Sequence, residues 1–240
     1  MKITSLQNKQ IIEFGKLKQK KYRDIENKFI VEGDHLIKEA NKANKIVYTI
    51  GLDESYDYEV TKDILNKLSS QVSGTNEIAI VEKLDERKVK GNVVILDNIQ
   101  DPGNLGTIIR SAVAFNIDTI ILSDTCVDLY NEKTIRSSEG MLFHINILRR
   151  KLASAIDELK KDGYVIYATT VDGQGNFDND KKIAFVIGNE GNGISDEILK
   201  LCDKNITIKM NEKCESLNAG VCASILMYKI GELKWKNIFI

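Results

Sequence analysis

The chain has no apolar run approaching the ~20 residues needed to cross a bilayer. Its opening Met1-Lys2-Ile3-Thr4-Ser5-Leu6-Gln7 also lacks the apolar stretch of a secretory signal. Cysteine is sparse, with Cys126, Cys202, Cys214 and Cys222 only, and no two of them form a Cys-x-x-Cys pair. The two histidines, His35 and His144, are distant from them in sequence, so a zinc site has little support. Reduced, buried thiols are expected, as in proteins of reducing compartments. No G-x-G-x-x-G follows a strand-like run, which argues against a nicotinamide-dependent dehydrogenase. Repeats and low-complexity tracts are absent too. These absences leave a metal-free, cytoplasmic, globular protein as the expectation.

The 240 residues are 42% hydrophobic and 29% charged, enough apolar material for a packed core. Net charge is -1, but it is unevenly spread. Residues 1–23 hold Lys2, Lys9, Lys16, Lys18, Lys20, Lys21 and Arg23 against Glu13 alone, a local net of +6. A basic segment of this kind can engage phosphates in a neutral protein, because screening makes the local field the relevant one; a solvated basic helix is the competing reading.

Periodicity predicts a helix over 5–23, a strand at 29–31 ending in Gly33, and a helix over 34–43. A strand at 46–50, a helix at 62–68 and a strand at 77–81 complete a small α/β unit, assigned to residues 1–82. The charged, weakly periodic 83–91 reads as a linker to a larger unit, 92–240. There, continuous apolar runs at 93–96, 119–122, 165–168 and 183–187 alternate with helical stretches near 104–115, 149–161 and 195–202. That pattern predicts a parallel sheet covered on both faces, with ligands bound at the carboxyl ends of its strands.

Three polar clusters fall at or just beyond such strand ends. The first is Asp101-Pro102-Gly103-Asn104-Leu105-Gly106 with Arg110, where Asp101 and the chain's one proline suit a helix start. Leu105, Ile108, Ile109, Ala112 and Val113 form a buried stripe from which Arg110 points away. The second is Gly188-Asn189-Glu190-Gly191-Asn192-Gly193, whose glycines expose backbone amides and carbonyls to a planar ligand. The third follows a predicted strand at 206–210 and reads Ser216-Leu217-Asn218, with Ser216 suited to cap a helix beginning near Leu217. Asn218 is a poor helix former in that first turn and calls for a polar partner. The helix is apolar around much of its circumference, which implies deep burial or a subunit interface.

In this order, Asp-Pro-Gly-Asn-Leu-Gly-x-x-x-Arg, Ile-Gly-Asn-Glu-Gly-x-Gly and Ser-Leu-Asn resemble the three motifs of the SpoU, or TrmH-type, RNA ribose methyltransferases of the SPOUT superfamily. Arg136, Ser138 and Gly140 resemble the family's Arg-x-Ser-x-Gly segment. Phe29-Ile30-Val31-Glu32-Gly33 resembles the start of the substrate-binding domain of its rRNA-modifying members. Two departures stand out: Ile208-Lys209-Met210 where the family usually has Ile-Pro-Met, and Ala219-Gly220 where Val-Ser is common.

The resemblance implies an α/β chain with a deep trefoil knot in its C-terminal parallel-sheet domain, and a homodimer packed around that knot. It implies S-adenosylmethionine-dependent transfer of a methyl group to a ribose 2′-hydroxyl of RNA, with 23S ribosomal RNA favoured by the N-terminal domain. It assigns the chemistry to Arg110, Asn104, Glu190, Ser216 and Asn218, and the cofactor to Thr169, Gly188, Ile208, Met210 and Leu217. The alternatives are a tRNA ribose methyltransferase and a non-catalytic RNA-binding or ribosome-assembly protein. Neither a metal nor a membrane is expected among the partners.

Overall fold

The computed structural model describes residues 1–71, 74–177 and 182–236. Its contacts divide the chain into two units, Met1–Asp85 together with Asp128–Phe143, and Glu86–Val127 together with His144–Ile240.

The first unit is built on a mixed sheet. Its elements are β1 (Lys2–Ile3), α1 (Lys9–Lys16), α2 (Lys20–Glu26), β2 (Lys28–Glu32), α3 (Asp34–Lys42), β3 (Ile46–Gly51), β4 (Tyr58–Val60), α4 (Lys62–Leu68) and β5 (Glu77–Glu82). The strands lie in the order β1-β4-β3-β5-β2, with β5 antiparallel to both neighbours. Ile11, Phe14 and Leu17 meet Ile64, Leu65 and Leu68 over Ile50, Ile78 and Ile80 in one core.

Sequence periodicity runs 5–23 together as one helix, but the structure breaks it after Lys16. Arg23 fills the break: its guanidinium donates to the carbonyls of Leu17 and Lys18 at 2.9 and 2.8 Å and pairs with Asp128 at 2.6 Å, and the residue is 5% exposed. Much of the segment's positive charge is likewise engaged within the unit. Lys2 pairs with Glu59, Lys16 with Glu13 and Lys20 with Asp24, while Lys18 donates to two backbone carbonyls. Lys9 and Lys21 have no ion pair or hydrogen bond among the described residues, and the pairs of Lys2, Lys16 and Lys20 are solvent-exposed ones of little strength.

Residues 128–143, including α6 (Glu132–Ser137), fold as part of this unit. Tyr130 and Phe143 pack their rings on the buried Phe29. Ser138 turns its hydroxyl to Ile135, and Gly140 (φ +76°) lies so close to α3 that a Cβ would fall 2.7 Å from Glu39 Cγ. Only glycine fits that position.

The second unit holds β6 (Val93–Leu96), α5 (Pro102–Ala114), β7 (Thr119–Leu122), β8 (Asn146–Arg149), α7 (Leu152–Lys161), β9 (Tyr164–Gln174), β10 (Lys182–Ile187), α8 (Asp196–Leu199), β11 (Lys204–Ile206) and α9 (Ala219–Lys236). All its strand pairs are parallel, in the order β11-β9-β10-β6-β7-β8. Residues of β6, β9 and β10 are buried along nearly their whole apolar runs, which is why those runs read as continuous. The predicted helix over 149–161 starts instead at Leu152, because Asn146–Arg149 forms an edge strand of alternating burial. The predicted strand at 206–210 ends at Ile206. No helix among the described residues is long and apolar enough to cross a membrane.

Candidate active site

Chain order reverses at β6: β7 and β8 extend the sheet one way, while β10, β9 and β11 lie on the other side. Ligands of open α/β sheets bind outside the carboxyl ends of the strands at such a switch point. The register Ile187↔Leu96 brings Gly188 and Asp97 out of the sheet side by side, and the three polar clusters occupy the loops beyond β6, β10 and β11.

The first loop ends in a capped helix. The Asp101 side chain accepts from the Asn104 N–H at 2.9 Å, and Pro102 opens α5 where a missing N–H costs nothing. Asn104, Thr107 and Arg110 then follow at three-residue steps along one side of α5, Arg110 about 9 Å from Asn104 along the axis. Arg110 is exposed, with no hydrogen bond or ion pair among the described residues.

The second loop closes on itself. Asn189 and Gly193 exchange two backbone hydrogen bonds of 2.9 Å, and Asn189 Oδ1 accepts from Gly191 and Asn192. Two tethers tie it to the β6 loop: Asn189 Nδ2 donates to the Asn98 carbonyl at 3.0 Å, and Asp97 Oδ2 accepts from the N–H and Oγ of Ser195. A Cβ on Gly188 would lie 2.2 Å from the Gly193 carbonyl carbon. Gly188→Ala is therefore expected to spread the loop and weaken any ligand seated against it at least about tenfold, a loss of about 1.4 kcal/mol readable by calorimetry.

In the third loop the cap is Asn218, not Ser216. Asn218 Oδ1 accepts from the N–H groups of Gly220 and Val221 at 3.0 and 3.2 Å, so α9 begins at Ala219, two residues later than predicted. Both residue types cap well, and the choice falls to the one whose other end has a partner: Asn218 Nδ2 donates to Asn104 Oδ1 at 2.9 Å. Asn104 Nδ2 in turn donates to Glu190. One hydrogen-bonded chain thus joins all three loops, and Asn218 gains the polar partner its sequence position called for.

Beside this chain lies a cavity of about 420 Å³, within the range of small-molecule sites. Thr169, Gly188, Ile208, Met210 and Leu217 all line it, as do Glu190 and Ser216. Thr169 Oγ1 is already bonded to the Val186 carbonyl at 2.7 Å, which leaves mainly backbone and apolar surface for a flat ligand. Asn104, Arg110 and Asn218 are not on its wall.

Sequence reasoning missed Asp97, Asn98 and Ser195, which fix the second loop, and Glu215 and Cys222, which line the cavity. A polar Asp97-Asn98 directly after an apolar strand was the available signal. Burial pushes the Cys222 thiol up, so it stays protonated beside the ligand space; burial raises Cys202 to about 11. All four cysteines are free, and Cys214, against the expectation of buried thiols, is exposed. Among the described residues no group of three His, Cys, Asp or Glu could hold a metal.

The charged residues on the cavity wall, among those described, are Glu190 and Glu215. A wall without lysine or arginine is poorly suited to a pyrophosphate and well suited to a cation.

Comparison with known proteins accords with this geometry. Residues 91–228 match the SpoU rRNA Methylase family, and residues 8–83 match the MRM3-like substrate binding domain. The 23S rRNA (guanosine(2553)-2′-O)-methyltransferase RlmP of Bacillus subtilis (strain 168) is 34% identical over 95% of this chain and 98% of its own. An AdoMet-bound rRNA methyltransferase from Sinorhizobium meliloti superposes with a TM-score of 0.85 at 25% identity, covering 95% of this chain and 96% of that one. An RNA 2′-O ribose methyltransferase superposes with a TM-score of 0.82 at 26% identity, over 98% of this chain and all of the other. The apolar, acid-rimmed cavity suits the adenosine and cationic sulfonium of S-adenosylmethionine, and the chain belongs to the SpoU family of S-adenosylmethionine-dependent RNA 2′-O-methyltransferases.

Proposed function

We propose that this protein methylates the 2′-hydroxyl of one ribose in 23S ribosomal RNA. The observation that carries the substrate is similarity over both units at once to a 23S rRNA enzyme, including an N-terminal substrate-binding domain. S-adenosylmethionine supplies the methyl group when bound. In this reading Thr169, Gly188, Ile208, Met210 and Leu217 hold the cofactor, and the Asn104–Glu190–Asn218 chain keeps the three loops in register. Ser216, at the cavity wall, orients the ribose.

Arg110 acts on the target oxygen. A guanidinium stays protonated near neutrality, so its role is to donate hydrogen bonds to the alkoxide as it forms, not to remove the proton. Holding the oxygen in line with the methyl group supplies much of the remaining acceleration. Such a protein works where ribosomal RNA is made, in the cytoplasm.

The finer architecture belongs to the same proposal: the chain beyond β10 forms a deep trefoil knot, and two copies pair through α9. Val221 and Tyr228 on α9 are 46% and 44% exposed, with half-buried Ile225 between them and Phe115 against the Tyr228 ring. An apolar stripe at i, i+4 and i+7 on an outer helix face suits a second copy. Val221→Glu is expected to shift a micromolar dimer to monomer in sedimentation equilibrium, while a dimer unchanged by it would place the interface elsewhere.

The substrate test uses labelled S-adenosylmethionine with unmodified 23S rRNA and, separately, unmodified tRNA. Incorporation into the 23S RNA alone, read first at the guanosine that the Bacillus subtilis relative modifies, is the expected result. Labelling of tRNA alone would assign the protein to the tRNA enzymes. Tight RNA binding without labelling would make it a binding protein.

A further inference from the structure

We infer that Glu215 is a specificity-determining residue that holds a cationic centre of the cofactor. This rests on the assignment of S-adenosylmethionine to the cavity, and extends it to a side chain outside the three motif clusters.

Glu215 is exposed, lines the cavity, and has no hydrogen bond or ion pair among the described residues. Its neighbours are engaged: the Ser216 carbonyl accepts from Cys214 Sγ at 3.2 Å, and Asn211 closes a turn by accepting from the N–H groups of Lys213 and Cys214. The loop is therefore folded in a way that delivers Glu215 to the wall with its carboxylate unspent. The other carboxylate on the wall, Glu190, is committed to Asn104. No lysine or arginine lines the cavity among the described residues. An anionic wall attracts a cation and repels anions, most strongly where water is partly excluded.

The cofactor has two positive centres, the sulfonium and the ammonium of its amino-acid tail. Methyl transfer breaks the carbon–sulfur bond, leaves its electron pair on sulfur and forms a carbon–oxygen bond at the ribose, whose hydroxyl proton passes to solvent water. The sulfonium becomes a neutral thioether, while the ammonium persists in the product.

Calorimetric binding of three probes to the full chain separates the possibilities: S-adenosylmethionine, S-adenosylhomocysteine and methylthioadenosine, which has neither charge. Glu215→Gln is expected to weaken S-adenosylmethionine about five- to tenfold and leave methylthioadenosine within twofold, with Glu215→Asp retaining part of the effect. If S-adenosylhomocysteine weakens equally, Glu215 holds the ammonium; if it is unchanged, Glu215 holds the sulfonium. Equal weakening of all three probes, or of none, would overturn the inference. Glu212→Gln, in the same loop but off the cavity wall, is the control and should change nothing. Failure of wild type to bind S-adenosylmethionine at all would instead contradict the cofactor assignment itself.

Discussion

Arg110→Ala is expected to lower the methyl-transfer rate about 10²- to 10³-fold, the usual cost of removing one donor to a developing oxyanion. The Kd for S-adenosylmethionine should stay within twofold of wild type. The split follows from where Arg110 sits: on the exposed side of α5, off the cavity wall, and outside the Asn104–Glu190–Asn218 chain. Its removal leaves no buried group unpaired, so the fold should be unaffected. Arg110→Lys should not restore the rate, because an ammonium cannot reproduce the planar fork of a guanidinium. Single-turnover kinetics with saturating RNA reads the effect. A variant with more than a third of the wild-type rate would remove Arg110 from the chemistry.

Arg23→Ala should cost about 3–5 kcal/mol of stability in urea unfolding, the range for breaking a buried ion pair from one side. Asp128, at 16% side-chain exposure, would lose its partner, and the carbonyls of Leu17 and Lys18 would lose their donors. Replacing both charges, as Arg23→Met with Asp128→Leu, should recover much of the loss, since the penalty lies in the stranded charge. A loss below about 1 kcal/mol for the single variant would mean that the pair is solvated and does not anchor 128–143. The same anchoring bears on truncation. Deleting residues 1–82 takes away Phe29, Arg23 and α3, the partners of Tyr130, Phe143, Asp128 and Gly140. Such a deletion therefore disturbs more than RNA binding.

What the sequence revealed and what it hid divide along physical lines. Helix α4 and strands β6 and β7 fall at their expected residues, because capping by Thr61 and short, fully buried apolar runs are local signals. Part of the cavity wall was legible too, since the Gly188–Gly193 cluster ends a strand of a parallel sheet, whereas Glu215 and Cys222 on the same wall carried no such signal. Strands β1 and β4 were not, at two and three residues, because pairing with partners distant in sequence, β4 with β1 and β3, makes them strands. The docking of 128–143 was invisible for a related reason: its ion pair spans 105 residues of chain and has no periodic signature. The partners of the basic N-terminal segment, Glu59, Glu13, Asp24 and Asp128, were hidden as well, because counting charges does not show what they pair with. At the start of α9 the expected cap was Ser216; Asn218 caps instead while bonded to Asn104 on another helix, a contact that no local pattern shows.

In the proposed reaction the methyl group goes to a ribose oxygen of ribosomal RNA. The most direct measurement is nucleoside mass spectrometry of 23S RNA modified in vitro with isotopically labelled S-adenosylmethionine. The expected result is a single labelled 2′-O-methylnucleoside, its 3′ linkage resistant to alkali because the 2′-oxygen is blocked, with label from Arg110→Ala appearing at least about a hundredfold more slowly. Label on a nucleobase, or none on RNA of any kind from a protein that binds the cofactor, would contradict it.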